Sequence, residues 1–202
     1  MKIAIIVEGQ TERVFIPFLR EFLSRRLPRE KMPGLIPFKR DGRIPKHDKL
    51  KRVVEALLRD GNPGADHVIA LTDVYTGTND FRDAADAKQK MHNWVGPNDR
   101  FHPHAAQHDF EAWLLPYWPT IQALANHNQT APTGQPESVD HNRPPSYRIK
   151  EIFRRGKVRE YTKTRDAKRI LEGKDLSVAA EACPELRAFL NTILTLCEGD
   201  PL

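Results

Sequence analysis

Five carboxylates stand where this sequence passes from apolar runs into turns. IIVEGQTE, residues 5–12, closes an aliphatic run on Glu8, turns at Gly9 and places Glu12 four residues later. HVIALTD, 67–73, closes on Asp73, and HDFEAWLL sets Asp109 and Glu111 just after the run FHPHAAQ. A carboxylate that ends a buried strand begins to lose its water and needs a cation or several donors. Carboxylates gathered in one place repel and raise each other's pKa, and a hard divalent cation relieves this. Oxygen-only ligands suit Mg2+ or Mn2+, as one ion or two, better than zinc, which prefers nitrogen and sulfur. Such ions activate water and stabilise charge on a phosphodiester. The expected metal set is Glu8, Glu12, Asp73, Asp109 and Glu111.

Each acid also has a plainer explanation. In the first turn of a helix, Glu12 is favoured by the helix dipole by roughly 0.3–1 kcal/mol. Asp109 fits a helix N-cap, and Glu111 an ordinary first-turn acid. Around the acids stand further candidates. Lys163, in YTKTRD, is placed to hold a phosphate or steady developing charge, with Arg165 a weaker candidate. His108 adjoins Asp109 and has the chemistry of a general base. His102 and His104 share one face of a strand, the start of a zinc site, but beyond His108 no cysteine or further histidine lies near in sequence.

The elements that must position these residues can be read from the pattern. KIAIIV, 2–7, is short, continuous and β-branched, a buried strand. Thr11 is expected to cap the helix that follows, with Val14, Phe15, Phe18, Leu19, Phe22 and Leu23 at helical spacing before Pro28. LIPFK, 35–39, predicts a second strand, weakened by Pro37. Residues 47–61 predict an amphipathic helix ended by Gly61. HVIALTD is the third strand, a helix is expected over about Asp80–Trp94, and FHPHAAQ, 101–107, is the fourth strand. DFEAWLL begins a helix interrupted by Pro116 and Pro119. Residues 126–146 read as loop, 147–172 as a basic helical stretch, and Pro184 as a helix start. Strands alternating with helices predict an α/β, three-layer α/β/α sandwich with a mainly parallel, Rossmann-like sheet and a helical C-terminal region. In such sheets sites form beyond the carboxyl ends of the strands. If β-strands 2–7 and 67–73 are neighbours, Glu8 and Asp73 open into one crevice.

The 202 residues are 39% hydrophobic and 29% charged, the composition of a globular chain. No apolar run approaches the roughly 20 residues of a bilayer span. The opening residues lack the basic, apolar and cleavage segments of a signal peptide. Only two cysteines are present, Cys183 and Cys197, too few for a disulfide framework. A cytoplasmic protein with no membrane partner is expected. The net charge of +5 is uneven: residues 143–174 hold twelve Lys or Arg and four Asp or Glu, so this segment carries +8 and the remainder −3. A basic segment on a mildly acidic body points to a polyanion, here nucleic acid, and a solvated helix face is the alternative.

IIVEGQTE, LTDVY and HDFEAWLL, in this order, resemble the Toprim-like proteins, in particular a bacterial family of small Toprim-like proteins still classed as a domain of unknown function. That family is related more distantly to the nuclease domain of the overcoming-lysogenization-defect (OLD) family. The resemblance covers residues 1–120 and continues loosely through YTKTRDAKRILEG and CPELRAFL. It implies a catalytic or metal role for Glu8, and for Glu12, where OLD-type nucleases add an acid. The Toprim pattern normally ends its third strand in Asp-x-Asp; here it ends Asp73-Val74-Tyr75, so one acid is missing. That departure speaks against topoisomerase and primase chemistry, and makes Asp109 or Glu111 the replacement. The resemblance further implies a metal-dependent nuclease paired with an ATPase partner in bacterial defence against phage.

The expected organisation is a Toprim-like α/β core over 1–120, a loop or insertion over 121–146 and a basic helical region over 147–202. Two functions stay open. In one, Glu8, Glu12, Asp73 and Glu111, with Lys163 and His108, run Mg2+-dependent phosphodiester hydrolysis on DNA or RNA held by 143–174. In the other, the core is a non-enzymatic scaffold that binds a partner protein or nucleic acid, and Trp94, Trp113 and Trp118 offer an interface.

Overall fold

The computed structural model describes residues 1–39, 42–59, 64–74, 79–138 and 142–202, without the side chains of Gln10 and Glu12. Four strands form one parallel sheet: β1 (Lys2–Val7), β2 (Gly34–Lys39), β3 (His67–Asp73) and β4 (Phe101–Ala106), in the order β2-β1-β3-β4. Each is short and rich in apolar residues, because a strand covered on both faces has no solvent side to keep polar. The two edge strands are the ones that carry a proline, Pro37 and Pro103. An edge tolerates the missing N–H that a central strand would need for its ladder.

Helix α1 (Gln10–Ser24) connects β1 to β2, α2 (Asp48–Leu58) connects β2 to β3, and α3 (Ala84–Val95) connects β3 to β4. A 3-10 helix over Phe110–Tyr117 runs directly into α4 (Trp118–Ala125). The chain then forms α5 (Pro145–Gly156), α6 (Lys163–Leu171), α7 (Leu176–Ala182) and α8 (Pro184–Leu196). Period-two alternation divides the sheet between two cores. Ile3, Ile5, Val7, Ile69 and Leu71 pack with Phe15 and Leu19 of α1, Ile170 of α6 and Phe189 of α8. Ala4, Ile6, Val68 and Ala70 pack with Leu50, Val54 and Leu57 of α2 and Met91 and Val95 of α3. The result is the expected three-layer α/β/α arrangement.

Several local expectations are corrected. The first helix starts at Gln10 with Gly9 in the cap position, so Thr11 lies inside its first turn rather than capping it. The third helix starts at Ala84, not near Asp80, because the Asp83 side chain accepts a hydrogen bond from the Asp86 N–H and fixes the start there. DFEAWLL is a 3-10 helix, and Pro119 does not interrupt a helix but sits in the first turn of α4, where its missing N–H costs nothing. The basic stretch 147–172 is two helices broken at Lys157, which adopts a left-handed conformation with φ of 55°. Trp113 and Trp118 are core residues, 1% and 4% exposed, rather than an interface. Both cysteines are free and buried. No helix among the described residues is long and apolar enough to cross a membrane.

One packing contact fixes where the basic helix lies. At Gly156, the last residue of α5, an added Cβ would stand 1.7 Å from the carbonyl oxygen of Ala125 at the end of α4. Only glycine allows this approach of backbone to backbone. Gly156→Ala is expected to destabilise the protein by about 1–3 kcal/mol, as overpacked sites do. Thermal unfolding measures this, and an unchanged midpoint would show that α5 rides freely on α4.

Candidate functional site

The topology creates a crevice between β1 and β3. The connection from β1 runs outward to β2, and that from β3 runs outward to β4 on the other side. Loops leaving neighbouring strands in opposite directions open a cleft at their carboxyl ends. Glu8 and Asp73 both stand there, at the ends of paired strands.

The register separates their side chains. Counting on from Val7 opposite Leu71, Glu8 falls opposite Thr72, not Asp73. The Thr72 hydroxyl donates to Glu8 Oε1, and the Ile44 N–H reaches the same oxygen at 3.4 Å. Glu8 is only 7% exposed. It is therefore tied to the face of Val68 and Ala70 and to the segment before α2. Asp73, half-buried, has the parity of Ile69 and Leu71 and belongs to the other face. One crevice thus receives both acids, but on different sides of the sheet.

On the Asp73 side the chain gathers a second group. His108 turns in a left-handed conformation, φ 70°, and delivers Asp109 and the 3-10 helix behind β4. Every residue from Phe110 to Leu115 is buried. Phe110 and Trp113 pack with Phe15 of α1 and Phe189 of α8, with ring centroids 5.4–5.9 Å apart. Glu111 is carried inside by these neighbours and is 0% exposed. Lys163, the first residue of α6, meets it: Nζ lies 3.1 Å from Glu111 Oε2. The Tyr161 hydroxyl donates to Glu111 Oε1 at 3.3 Å. The turn before α6 is held by buried Asp166, which accepts from Arg159 and from the Thr162 N–H at 2.7 Å each.

Asp109 occupies the N-cap position of the 3-10 helix but makes no capping bond. Its Oδ2 instead accepts the Ser146 N–H of α5 at 3.2 Å. Its Oδ1 is buried and has no hydrogen-bond partner among the described residues. Burial pushes the Asp109 carboxyl above its ordinary pKa, against the Ser146 bonds and the charge of Lys163. Burial also raises Glu111, and the neighbouring Asp109 charge adds to the effect against the pull of Lys163. For Lys163, burial disfavours the ammonium, yet the charges of Glu111, Asp73 and Asp109 together outweigh it and hold its pKa above the usual value. Burial, then the Glu111 charge, pushes the Tyr161 phenol up, so it remains a donor.

Glu111 pairs with Lys163, and Asp73 and Asp109 act on its ammonium through their charge, while Glu8 stands apart on Thr72. The Glu12 backbone lies in the first turn of α1, and its side chain lies outside the described residues, as does all of Tyr75. Among the described residues no three histidine, cysteine, aspartate or glutamate side chains form a ready-made metal group. Asp73 on β3 and Asp109 and Glu111 after β4 bring carboxylate oxygens, the donor type that hard cations take, and Asp109 Oδ1 is buried with no hydrogen-bond partner among the described residues. His108 is 1% exposed, and its Nε2 donates to the Ser138 carbonyl. His102 and His104 part company. His102 Nε2 meets His67 Nδ1 at 3.2 Å, and His104 bonds Thr192 at 3.0 Å with its pKa pushed down to about 3, by burial first. Arg165 is turned to Asp166 at 3.2 Å.

Thr72, Ser146 and Tyr161 were not among the expected residues. Thr72 alone had a local signal, since a residue opposite Glu8 follows once β1 and β3 are paired. Tyr161 reaches Glu111 across fifty positions and had none.

Residues 7–194 match the family described as "Domain of unknown function (DUF4276)". No curated protein matches the chain. Among solved structures, the C-terminal region of the Burkholderia pseudomallei OLD protein is similar, with a TM-score of 0.53 at 12% identity, over 97% of this chain and 98% of that one. This likeness shows the fold.

The raised carboxyls make a pH prediction. Asp109 has an unperturbed pKa of 3.8, and its folded value lies higher. The folded state then binds the proton more tightly than the unfolded chain, so ionising the group costs stability as pH rises through that window. Asp109→Asn removes this cost. In buffer with chelator, its melting temperature minus that of wild type should become more positive as the pH rises above about 4. A difference that is flat or falls with pH would contradict the assignment.

Proposed function

This chain belongs to the DUF4276 family, and we propose that it is a Mg2+- or Mn2+-dependent phosphodiesterase acting on DNA or RNA. The observation that carries the reading is the buried pair Asp109 and Glu111, with Lys163 on Glu111 and Asp73 acting on the same ammonium through its charge, in a chain whose segment 143–174 has a net charge of +8. Burial disfavours the charged forms of Asp109 and Glu111 despite Lys163 and Lys150, and a divalent cation would let both ionise. In this reading Asp73, Asp109 and Glu111 hold the ion or ions, with Glu8 and Glu12 completing the set. The bound ion supplies Lewis acidity and a lowered pKa for water. The Asp109 Oδ1 atom, buried with no partner among the described residues, is a natural first ligand.

The chain's own residues do the rest. Lys163 Nζ stands at the edge of the acids, half-exposed, where it can meet a phosphate oxygen and steady charge as the ester bond breaks. Tyr161 stays protonated and keeps Glu111 oriented. The basic residues of α5 and α6 attract the phosphate backbone, a contact without sequence preference and sensitive to salt. The Toprim-like resemblance supports a nuclease, and an ATPase partner in phage defence is the setting that it implies.

A scaffold reading has one observation on its side. Lys163 already compensates Glu111, so the buried acid is satisfied with no ion bound. The two readings part on a cleavage assay with labelled single- and double-stranded DNA and RNA in Mg2+ or Mn2+. Glu111→Gln and Asp109→Asn should each lower cleavage by about 100-fold or more, and Lys163→Met similarly, with nucleic-acid binding little changed. Cleavage by folded variants at the wild-type rate would remove these residues from the chemistry.

A further inference from the structure

Beside the acid group, on the outer side of Tyr161, lies a cavity of about 530 Å3. Lys150, Phe153, Arg154 and Lys157 line it at the helical spacing i, i+3, i+4, i+7, so one face of α5 and its end forms a wall. Arg159 and Tyr161 form the opposite wall. Phe153 is 1% exposed and makes an apolar floor, edge-on to Tyr161 at 5.5 Å and under the Arg159 guanidinium at 4.8 Å.

The charges in this hollow are unbalanced. Lys150, Arg154 and Lys157 are exposed, and none has an ion-pair partner among the described residues. The neighbouring Arg155 is different: it is paired with Glu151 on an adjoining face. Arg159 is neutralised by Asp166 through Nη1, and its Nη2 is shielded from solvent with no hydrogen-bond partner among the described residues. Against the three unpaired cations the cavity sets one acid, Glu160. The excess is two positive charges, gathered around one open hollow.

Resting on the nucleic-acid reading above, we infer that this cavity binds the phosphomonoester at the end of a nucleic-acid strand. An internal phosphodiester carries one negative charge, whereas a terminal phosphate carries about 1.5 to 2 near neutral pH and offers three acceptor oxygens. The excess charge, carried by the exposed Lys150, Arg154 and Lys157, matches the second. A volume of about 530 Å3 suits one nucleotide unit, and small-ligand pockets run from roughly 300 to 1,000 Å3. The apolar floor accepts the sugar or base face. Tyr161 is the shared wall: one side of its ring lines the cavity, and its hydroxyl holds Glu111. A strand anchored by its end here would present its first ester bonds to the acids.

The test is fluorescence anisotropy in chelator, with oligonucleotides of one sequence bearing a 5′-phosphate, a 3′-phosphate or hydroxyls at both ends. One phosphorylated form should bind about tenfold more tightly than the hydroxyl form. Which form it is distinguishes the two ends. Arg154→Ala with Lys157→Ala, both on the surface, should abolish the preference, and inorganic phosphate should compete for it. Equal binding of all three overturns the inference and leaves nucleic-acid binding standing. A preference that survives the double variant places the end elsewhere and overturns it also. No binding of any oligonucleotide would overturn both this inference and the nucleic-acid reading.

Discussion

A carboxylate without water needs charge or donors brought to it, and Glu111 is such a carboxylate. It is buried because its neighbours Phe110, Ala112 and Trp113 are the core itself, packed against α1 and α8. The core cannot release it, so other parts of the chain come to it. Lys163 brings a cation and Tyr161 a hydroxyl. Both come from one turn, and that turn is stiffened by Asp166, which binds Arg159, Thr162 and Arg165 at once. These bonds outweigh burial and hold the Asp166 carboxyl below its ordinary pKa. The C-terminal helices are therefore more than a cover for the sheet: they complete the environment of an acid that β4 and the 3-10 helix deliver.

The sheet imposes a second constraint. Parallel pairing of β1 with β3 brings Glu8 and Asp73 to one edge, and strand alternation then sends them to opposite sides. Glu8 is satisfied by Thr72 and the Ile44 N–H, while Asp73 contributes charge to Lys163. A cation that bridged both would sit over the strand ends, at the topological switch point where ligands of such sheets bind.

Much of this was legible in the residues. β1 and β3 are short continuous runs of Val, Ile, Leu and Ala, and their ends were visible because a charged residue stops each run. The parallel sheet followed from alternation with helices. What failed was local. The Asp83 cap overrode the earlier start expected for α3, and a left-handed Lys157 divided one basic stretch into two helices. The candidate site was legible as a set of acids at strand ends, but not as a geometry. The partition of Glu8 from Asp73 depends on register, and register depends on which strands pair. The contacts of Lys163 and Tyr161 with Glu111 span fifty residues or more and left no trace in local pattern. The two histidines of β4 illustrate the same limit: a shared face suggested a common ligand, yet each found its own partner in the tertiary structure.

The account stands on the claim that the acids around Lys163 hold a hard divalent cation. Titration calorimetry of Mn2+ into the wild type, Asp109→Asn and Glu111→Gln measures this directly. The account predicts saturable binding to the wild type in the micromolar to millimolar range, lost or greatly weakened in both variants. Equal Mn2+ affinity in all three folded proteins would contradict it, because the ion would then be held by residues other than the buried pair.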